Sequence, residues 1–342
     1  MTRVAVDALG GDRAPNEIVA GAVEAAAAGV EVVLFGPEGL NTHGLPHVVA
    51  PDEIAMADKP ADAVRAKPNS SLVAAVRAVG DGSADAVVSA GNTGAVLAAG
   101  LLHVRRLPGA LRPAIAVPIP TRGGPSVLID GGANADNRAE HLLQFGYMGA
   151  IFSEEILGVR EPVVGLLSIG EEPEKGDQLT LEAHALLRTA PGLRFRGNVE
   201  ARDLLRGAAD VVVTGGFTGN LALKLLEGTI REVLDALREE ITATLRGKLG
   251  GLLIRPAARR LRQTLDPDTY GGAYLLGLRG LAVIAHGNSG RRAIANAIEL
   301  AARGVEHAVV DRLAERLPGR DTADPAGVAV YDRRASEPAH DH

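Results

Sequence analysis

The sequence has no cysteine and no tryptophan among its 342 residues, and aromatic side chains make up only 3% of it. Without cysteine there is no disulfide framework, no thiolate metal site and no cysteine nucleophile for thioester chemistry. The scarcity of aromatic side chains argues against a base-stacking surface for nucleic acid, and the net charge of −6 argues in the same direction. A hydrophobic content of 46% is that of an ordinary globular protein.

Long apolar runs are also missing. The first residues show no basic region followed by an apolar core, so an export signal is not indicated. The longest uncharged stretch, 86–104, contains Gly91-Asn92-Thr93-Gly94 in its middle. That fits a strand, a loop and a helix better than a bilayer span of ~20 apolar residues. We therefore expect a cytoplasmic protein.

Short β-rich runs alternate with longer helical patterns. The predicted strands are 4–6, 31–35, 86–89, 114–119, 126–129, 163–168, 209–213 and 281–285, and the helical patterns are 17–28, 71–79, 95–104, 140–157, 178–188, 220–245 and 293–303. Such alternation predicts an α/β fold with a largely parallel sheet and helices on both faces. We expect residues 1–316 to form a single α/β unit and residues 317–342, rich in proline and charge, to be a disordered tail.

One segment, 241–265, differs from the rest. It holds six basic residues and no acidic residue, together with six leucines. Pro256 is expected to bend or restart the helix, which predicts a protruding basic amphipathic hairpin. Such a hairpin is typical of contact with an anionic membrane surface or an acidic partner. An ordinary amphipathic helix packed on the sheet accounts for the pattern equally well.

Five glycine-rich loops directly follow predicted strands. Ligands of open parallel sheets bind beyond the carboxyl ends of the strands, where glycine allows close approach and helix N-termini present N–H groups. We therefore predict an anion site, with phosphate as the first choice, although one such loop alone is often only turn chemistry. The sequence has no P-loop and no dinucleotide fingerprint. The candidate phosphate- or substrate-binding residues are Gly10, Gly11, Asp12, Ser89, Gly91, Asn92, Thr93, Gly94, Gly132, Asn134, Asp136, Gly170, Glu172, Gly219 and His286.

Three further side chains are candidates for chemistry. Lys175 is one of only five lysines among 36 basic residues and lies in a polar loop after a strand, where an ammonium suits phosphate or an oxyanion. A solvated loop lysine is the structural alternative. Asn220 fits a helix N-cap or a donor to a carbonyl oxygen. His286 follows the last strand and fits an acid–base group or a packed loop residue.

The loops resemble those of the bacterial phosphate acyltransferases, which transfer acyl groups from acyl carrier protein to phosphate. The resemblance is collinear from about residue 3 to residue 303. The motifs that carry it are Asp7-Ala-Leu-Gly-Gly-Asp12, Asp85-Ala-Val-Val-Ser-Ala-Gly-Asn-Thr-Gly94, Gly132-Ala-Asn134-x-Asp136, Ile169-Gly-Glu-Glu172 with Lys175, Gly216-Phe-x-Gly-Asn220 and Asp266-Pro-x-x-Tyr-Gly-Gly272.

The resemblance implies a fold like that of isocitrate and isopropylmalate dehydrogenases, shared with phosphotransacetylases. It implies a homodimer that moves a long-chain fatty acyl group from acyl carrier protein to inorganic phosphate. The acyl phosphate product would feed a glycerol-3-phosphate acyltransferase in phospholipid synthesis. It implies no cofactor, metal or nucleotide. It also implies peripheral membrane contact, for which the candidates are Leu249, Leu252, Leu253 and Ile254.

Two positions depart from the family pattern. The family usually has histidine after Gly-Gly-Asp, where this chain has Arg13, which does not titrate usefully. The family segment Ser-His-Gly-Ser is Ala285-His286-Gly287-Asn288 here. An acid–base role at position 13 is therefore not expected, and the assignment of His286 loses support.

The absence of cysteine fits direct attack of phosphate on the thioester without an acyl-enzyme. Lys175 and Asn220 carry over from the family as the residues that polarise the carbonyl and stabilise the tetrahedral intermediate. Three alternatives stay open at this point: a short-chain acyl-CoA enzyme of the phosphotransacetylase type, a metal-dependent dehydrogenase, and a non-catalytic membrane adaptor for lipid enzymes.

Overall fold

The computed structural model describes residues 2–121, 123–265 and 267–318, and within them it contains one eleven-stranded sheet and ten α-helices. The strands are β1 (Arg3–Asp7), β2 (Glu31–Gly36), β3 (His47–Val49), β4 (Ala86–Ser89), β5 (Ala114–Thr121), β6 (Gly124–Ile129), β7 (Val163–Ser168), β8 (Arg194–Glu200), β9 (Val211–Val213), β10 (Ala273–Leu276) and β11 (Leu281–Ile284). The helices are α1 (Asn16–Ala27), α2 (Pro60–Ala66), α3 (Ser71–Gly80), α4 (Thr93–Ala99), α5 (Ala139–Leu157), α6 (Gln178–Arg188), α7 (Gly216–Thr242), α8 (Leu245–Leu265), α9 (Arg291–Glu306) and α10 (Val309–Arg316).

The sheet has two parallel halves that run in opposite directions. Its strand order is β3-β2-β1-β4-β11-β10-β5-β6-β9-β7-β8. Strands β3-β2-β1-β4-β11 (the first half-sheet) are mutually parallel, and so are β6-β9-β7-β8 (the second half-sheet). Between them, β10 is antiparallel to β11 and β5, and β5 is antiparallel to β6. Loops after strands of the two half-sheets therefore leave their strands in opposite directions.

Helices cover both faces of the sheet. Along β1, Val4 and Val6 belong to an apolar cluster that includes Ile298 of α9, while Ala5 belongs to a second cluster with Val73 of α3. Alternate residues of the strand thus contribute to cores on opposite faces, and all three are buried. The predicted α/β architecture, largely parallel with helices on both faces, is confirmed.

All eight predicted strands and all seven predicted helices are present, most of them with shifted ends. Strands β3, β8 and β10 and the short helices α2 and α10 were not predicted. Strand β8 lies at the edge of the sheet, and its residues Arg194, Arg196 and Glu200 are not buried. An edge strand of this kind lacks the apolar pattern by which buried strands are recognised.

The segment 241–265 does not fold back on itself. Helix α8 continues through Pro256, and the hairpin is instead formed by α7 and α8. The turn falls at residues 243–244 because Thr244 begins the new helix: its Oγ1 accepts a hydrogen bond from Gly247 N at 3.0 Å. None of residues 231–260, all of which are described, is buried, so this hairpin projects from the sheet.

The ordered chain continues slightly beyond the predicted boundary at residue 316. Leu317 is buried in the core, and Pro318 O accepts a hydrogen bond from Gln144 Nε2 at 3.1 Å. The rest of the predicted tail, 319–342, lies outside the described residues, as does Asp266 of the last family motif.

Candidate active site

One buried carboxylate, Asp7, fixes the loops that follow β1 and β4. Its side chain is 2% exposed and accepts hydrogen bonds from Ser71 Oγ at 2.5 Å and Ser89 Oγ at 2.7 Å. Ser89 Oγ accepts in turn from Gly91 N at 3.0 Å, so the second loop is tied to the end of β1. Burial raises the pKa of Asp7, and the hydrogen bonds from Ser71 and Ser89 oppose that shift.

The glycines of these two loops lie where side chains do not fit. A Cβ on Gly10 would come within 2.8 Å of Gly91 N, so the two loops meet backbone to backbone. Gly11 has a φ of +105°, which L side chains rarely adopt. Gly94, in α4, packs against Pro60, the first residue of α2.

The side chain of Asn92 is occupied by the protein's own backbone. Its Oδ1 accepts from Ala95 N at 3.1 Å and caps α4, and its Nδ2 donates to the carbonyl oxygens of Met56 and Asp58 at 3.0 and 3.2 Å. Asn92 therefore positions the loop, whereas the neighbouring Thr93 is exposed to a ligand.

The loop after β11 joins this group and also reaches α7. Asp12 N donates to Gly287 O at 2.7 Å, which links the loop after β1 to the loop after β11. The side chain of His286, which precedes Gly287, extends toward α7, and its Nε2 lies 3.6 Å from Glu227 Oε1. His286 is thus an exposed side chain with a carboxylate partner rather than a packed loop residue.

On the second half-sheet, Asp130 organises the loop after β6. Its side chain is fully buried. Oδ1 accepts from the backbone N–H groups of Ile115, Gly132 and Ala133 at 3.1, 3.1 and 2.8 Å. Oδ2 accepts from the backbone and side-chain nitrogens of Asn134 at 3.0 and 2.7 Å. The buried Asn134 is therefore a structural partner of Asp130 and not a free ligand group.

Helix α7 brings Asn220 against this loop. Its N-cap is Gly215, so Asn220 lies inside the helix and does not cap it. A Cβ on Gly132 would lie 3.1 Å from the Asn220 Cβ, and Gly219 lies directly on the backbone oxygen of Asp130. Glycine at these two positions lets α7 approach the loop closely enough to present the Asn220 amide beside it.

Lys175 lies in a loop whose backbone carbonyl groups accept hydrogen bonds from two side chains of the sheet. Asn198 Nδ2 donates to Glu172 O at 2.8 Å, and Ser168 Oγ donates to Lys175 O at 3.0 Å. Gly170 is buried and packs against the Lys175 side chain. A Cβ added to Gly170 would lie 2.9 Å from Lys175 Cγ. The Glu172 and Lys175 side chains themselves are exposed.

Lys175 and Asn220 share one property that most of the other candidates lack. Both side chains are exposed, and neither has a protein hydrogen-bond or ion-pair partner among the described residues. Asp136 is exposed as well. Within the same residues no group of three or more histidine, aspartate or glutamate side chains is arranged to hold a metal ion.

The glycine loops form two groups, one on each half-sheet. Those carrying Gly10, Ser89 and His286 belong to the first half-sheet, and those carrying Gly132 and Lys175 belong to the second. Because the half-sheets run in opposite directions, the two groups leave their strands in opposite directions, although the pairing register puts Ile129 at the end of β6 level with Val283 near the end of β11. Helix α7 is the element that contacts both groups, at Gly132 through Asn220 and at His286 through Glu227.

Sequence reasoning missed the side chains that hold these loops in place. Asp7 begins one of the quoted motifs and Asp130 lies two residues before another, but neither was singled out, and Glu227 was not considered. The available signal was an aspartate directly after a buried apolar strand, since a carboxylate there can accept the N–H groups of the loop that follows. No sequence pattern pairs Glu227 with His286.

The architecture is shared with phosphotransacylases. A phosphotransacetylase from Streptococcus pyogenes superimposes with a TM-score of 0.60 at 18% identity, over 89% of this chain and 94% of that one. A 4-hydroxythreonine-4-phosphate dehydrogenase from Klebsiella pneumoniae gives 0.50 at 15% identity, over 88% and 96%. At such identities the likeness shows the fold alone, an α/β class that serves both acyl-transfer and dehydrogenase proteins, as the sequence resemblance implied.

The particular family follows from sequence. The model of a family described as "Fatty acid synthesis protein" matches residues 2–312. The phosphate acyltransferase of Heliobacterium modesticaldum is 44% identical over 330 residues, spanning 93% of this chain and 98% of that protein. The chain belongs to this phosphate acyltransferase family and is an acyltransferase, which confirms the resemblance and sets aside the dehydrogenase and adaptor alternatives.

Proposed function

We propose that the protein transfers a long-chain fatty acyl group from acyl carrier protein to inorganic phosphate and releases acyl phosphate. The contact between Asn220 and the Gly132 loop carries this proposal. It places an amide without a protein partner among the described residues beside a glycine loop, on a helix whose Gly219 packs on the Asp130 backbone oxygen. A fixed donor of this kind suits an oxyanion that develops during acyl transfer.

The reaction proceeds by direct attack. Phosphate is itself a nucleophile, and a chain with no cysteine has no thiol to carry the acyl group. The protein's task is then to hold phosphate near the thioester carbonyl and to stabilise the tetrahedral intermediate. Asn220 donates to the carbonyl oxygen, and Lys175 supplies the positive charge that this oxygen needs as it becomes negative.

Phosphate binds among the glycine loops, where Thr93 and the backbone between Gly91 and Gly94 are the strongest candidates on the first half-sheet. Asn92 and Ser89 contribute by holding that backbone, since their side chains are bonded to the protein. On the second half-sheet the space beside Gly132 and the Asn220 amide is the corresponding candidate. Gly10, Gly11, Asp12, Gly170, Glu172, Asn134, Asp136 and Gly219 shape or border these loops.

The α7–α8 hairpin is proposed as a peripheral membrane contact. Leu249 and Leu253 are 67% and 84% exposed and lie on one side of α8 with Leu245 and Leu252. Basic residues flank this stripe, as expected of a helix lying on an anionic surface. Ile254 is 48% exposed and follows Gly251, which faces Ile241 of α7. No helix in the described part of the chain is long and apolar enough to cross a bilayer.

We further propose a homodimer, as the family resemblance implies. An exposed stripe of α7 formed by Phe217, Leu221 and Leu225 offers an apolar surface that a second copy could cover. The acyl phosphate product is reactive and amphiphilic. Its consumer is then a glycerol-3-phosphate acyltransferase at the membrane.

The second candidate function is transfer from a short-chain acyl-CoA to phosphate. The fold shared with the Streptococcus pyogenes phosphotransacetylase favours it. The two candidates differ in the thioester donor and in acyl-chain length, and the chemistry of phosphate attack is the same in both.

The test is a phosphate-dependent thioester assay with purified protein. Palmitoyl-acyl carrier protein, palmitoyl-CoA and acetyl-CoA are each incubated with inorganic phosphate, and released thiol and acyl phosphate (trapped as the hydroxamate) are measured together. We expect both products in equal amounts with the carrier-protein thioester. Turnover with acetyl-CoA alone would establish the second candidate, and thiol release that does not depend on phosphate would overturn both.

A further inference from the structure

The contact between His286 and Glu227 joins two parts of the site that are distant in sequence. His286 directly follows Ala285, whose N–H donates to Ser89 O at 2.9 Å, so it lies at the same end of the strands as the Ser89–Gly94 loop. Glu227 belongs to α7 and lies 3.6 Å from the His286 Nε2. A candidate phosphate loop and the helix that carries Asn220 therefore meet at this histidine.

Glu227 and Asn220 lie on the same side of α7. They are seven residues apart, which is two turns of helix and about 10 Å along the axis. Between them, one turn from Asn220, the buried Leu223 packs against Gly131 of the Asp130 loop. This side of α7 thus runs from the proposed oxyanion donor at one end to the His286 imidazole at the other.

Both partners remain accessible to a ligand. The side chain of His286 is 43% exposed and that of Glu227 is 30% exposed. At 3.6 Å the pair is an electrostatic contact and not a short hydrogen bond, so the imidazole is not locked onto the carboxylate. At this distance the carboxylate leaves the imidazole nitrogens free to reach substrate.

We propose that His286 is a catalytic residue that carries a proton from the attacking phosphate to the departing sulfur, with Glu227 stabilising its cationic form between the two transfers. This inference rests on the proposed function. It assigns the proton donor for the leaving thiol, which neither Lys175 nor Asn220 supplies.

The step balances without any further reactant. Hydrogen phosphate dianion attacks the thioester carbon through one oxygen, and its remaining hydroxyl proton passes to the neutral imidazole. The tetrahedral intermediate collapses, the carbon–sulfur bond breaks, and the imidazolium gives the proton to sulfur. The products are acyl phosphate dianion and thiol, and His286 returns to its neutral form. An alkyl thiol has a pKa near 8.5, so protonation assists its departure at neutral pH.

The test compares leaving groups. His286→Gln and wild-type protein are assayed with saturating phosphate against palmitoyl-acyl carrier protein, an alkyl thioester, and against the palmitoyl thioester of 4-nitrothiophenol, whose thiolate leaves without protonation. We expect His286→Gln to lose about 10²-fold in kcat with the alkyl thioester. With the aryl thioester we expect it to stay close to wild type, and the KM for phosphate to be unchanged. Glu227→Gln should show the same pattern with a smaller loss.

Two controls complete the experiment. His307→Gln changes an exposed histidine at the opposite end of α9 and should match wild type on both donors. Circular dichroism and thermal melting establish that each variant folds. Equal losses on both donors, or a raised KM for phosphate with kcat unchanged, would make His286 a binding residue and overturn the proposal, as would an unaltered kcat. A wild-type protein that uses neither donor with phosphate would instead refute the proposed function itself.

Discussion

The hydroxyl of Ser89 donates to Asp7 Oδ2 at 2.7 Å across the ends of two neighbouring strands. Ser89 Oγ also accepts a hydrogen bond from Gly91 N at 3.0 Å, so the Ser89 side chain connects the last residue of β1 to the loop that begins after β4. Asp7 is buried, and its hydrogen bonds offset the cost of burying a carboxylate. Removing any one of their donors would therefore destabilise the fold. This connection makes Ser89 a test of how the first-half loops are held.

Ser89→Ala should lower the free energy of unfolding by about 1–3 kcal/mol, because it removes a hydrogen bond to a buried carboxylate and the acceptor of a backbone N–H. If the Gly91 loop binds phosphate, the KM for phosphate should rise more than kcat falls. Chemical denaturation and steady-state kinetics measure the two effects. Ser83→Ala, in an exposed turn where Ser83 Oγ donates to Asp81, is the matched control and should change neither. An unaltered KM for phosphate in a destabilised Ser89→Ala would limit this network to a structural role.

Gly132 should be intolerant of a methyl group for a reason that concerns Asn220. It has a φ of +128°, and an added Cβ would lie 3.1 Å from the Asn220 Cβ. Gly132→Ala should therefore displace Asn220 and reduce turnover by about tenfold or more, the scale on which an oxyanion donor matters. Gly82→Ala is the matched control, since Gly82 has a φ of +79° and open space around it.

Both glycine variants place an alanine at a positive φ, which costs about 1–3 kcal/mol of backbone strain. Thermal melting should show comparable losses of stability in the two proteins. Only Gly132→Ala should lose turnover. Parallel losses of activity in both variants would attribute the effect to stability and would remove the support for Asn220.

Lys175→Ala and Asn220→Ala should each fold normally and lose about 10²–10³ in kcat, the usual effect of removing one preorganised donor. Both side chains are exposed and have no protein partner among the described residues, so little stability depends on them. Glu174→Ala changes the exposed neighbour of Lys175 in the same loop and serves as the control. Near-wild-type turnover in both variants would refute their assignment.

The elements that the sequence predicted well are those whose pattern is local. Strand β7 and helix α6 begin and end where predicted because each has an apolar period of its own, and α6 also has an N-cap, with Asp177 Oδ1 accepting from Thr180 N at 2.8 Å. The reversal between the half-sheets is set instead by the pairing of β10 and β5. No local pattern in Ala273–Leu276 indicates that this strand lies antiparallel to both of its neighbours.

The same distinction applies to the site. The glycine loops are visible in the sequence because each directly follows an apolar run, and the resemblance to a family supplied Lys175 and Asn220. Which loops leave the sheet in the same direction depends on the direction of whole half-sheets, and no local pattern sets that direction. The contact of Glu227 with His286 spans 59 positions and exists only because α7 extends from the Asp130 loop to the loop after β11.

The exposed stripe of α8 predicts a ranking among its apolar residues. Replacing Leu249 and Leu253 by glutamine should weaken binding to vesicles of anionic phospholipid by about tenfold or more, since each buried leucine is worth about 1.5–3 kcal/mol. Ile254→Gln should have a smaller effect because Ile254 lies on the side of Gly251, which faces α7. Co-sedimentation at increasing salt measures the binding. Turnover on a soluble thioester serves as the control for folding, and equal effects at positions 253 and 254 would contradict the orientation.

The stability of the fold should depend on pH through His141, which lies in the first turn of α5. Its Nδ1 accepts a hydrogen bond from Arg138 N at 3.2 Å, and only a neutral ring nitrogen can accept one. Burial lowers the pKa of His141, and the nearby Arg112 lowers it further. Between the ordinary value of 6.5 and the lowered value, the unfolded chain binds more protons than the folded one, so stability falls as the pH drops below 6.5.

His141→Gln isolates this contribution, because a glutamine at the third helical position can accept the same N–H and does not titrate. We expect the melting temperature of wild type to fall more steeply than that of His141→Gln between pH about 7 and 5, the range in which histidine gains its charge. The difference should stay below the ~1 kcal/mol typical of a helix cap, since His141 is only partly buried and solvent screens it. His307→Gln, which alters an exposed histidine, should melt in parallel with wild type at every pH. Identical pH dependence in wild type and His141→Gln would show that the N-terminus of α5 does not rely on the neutral imidazole.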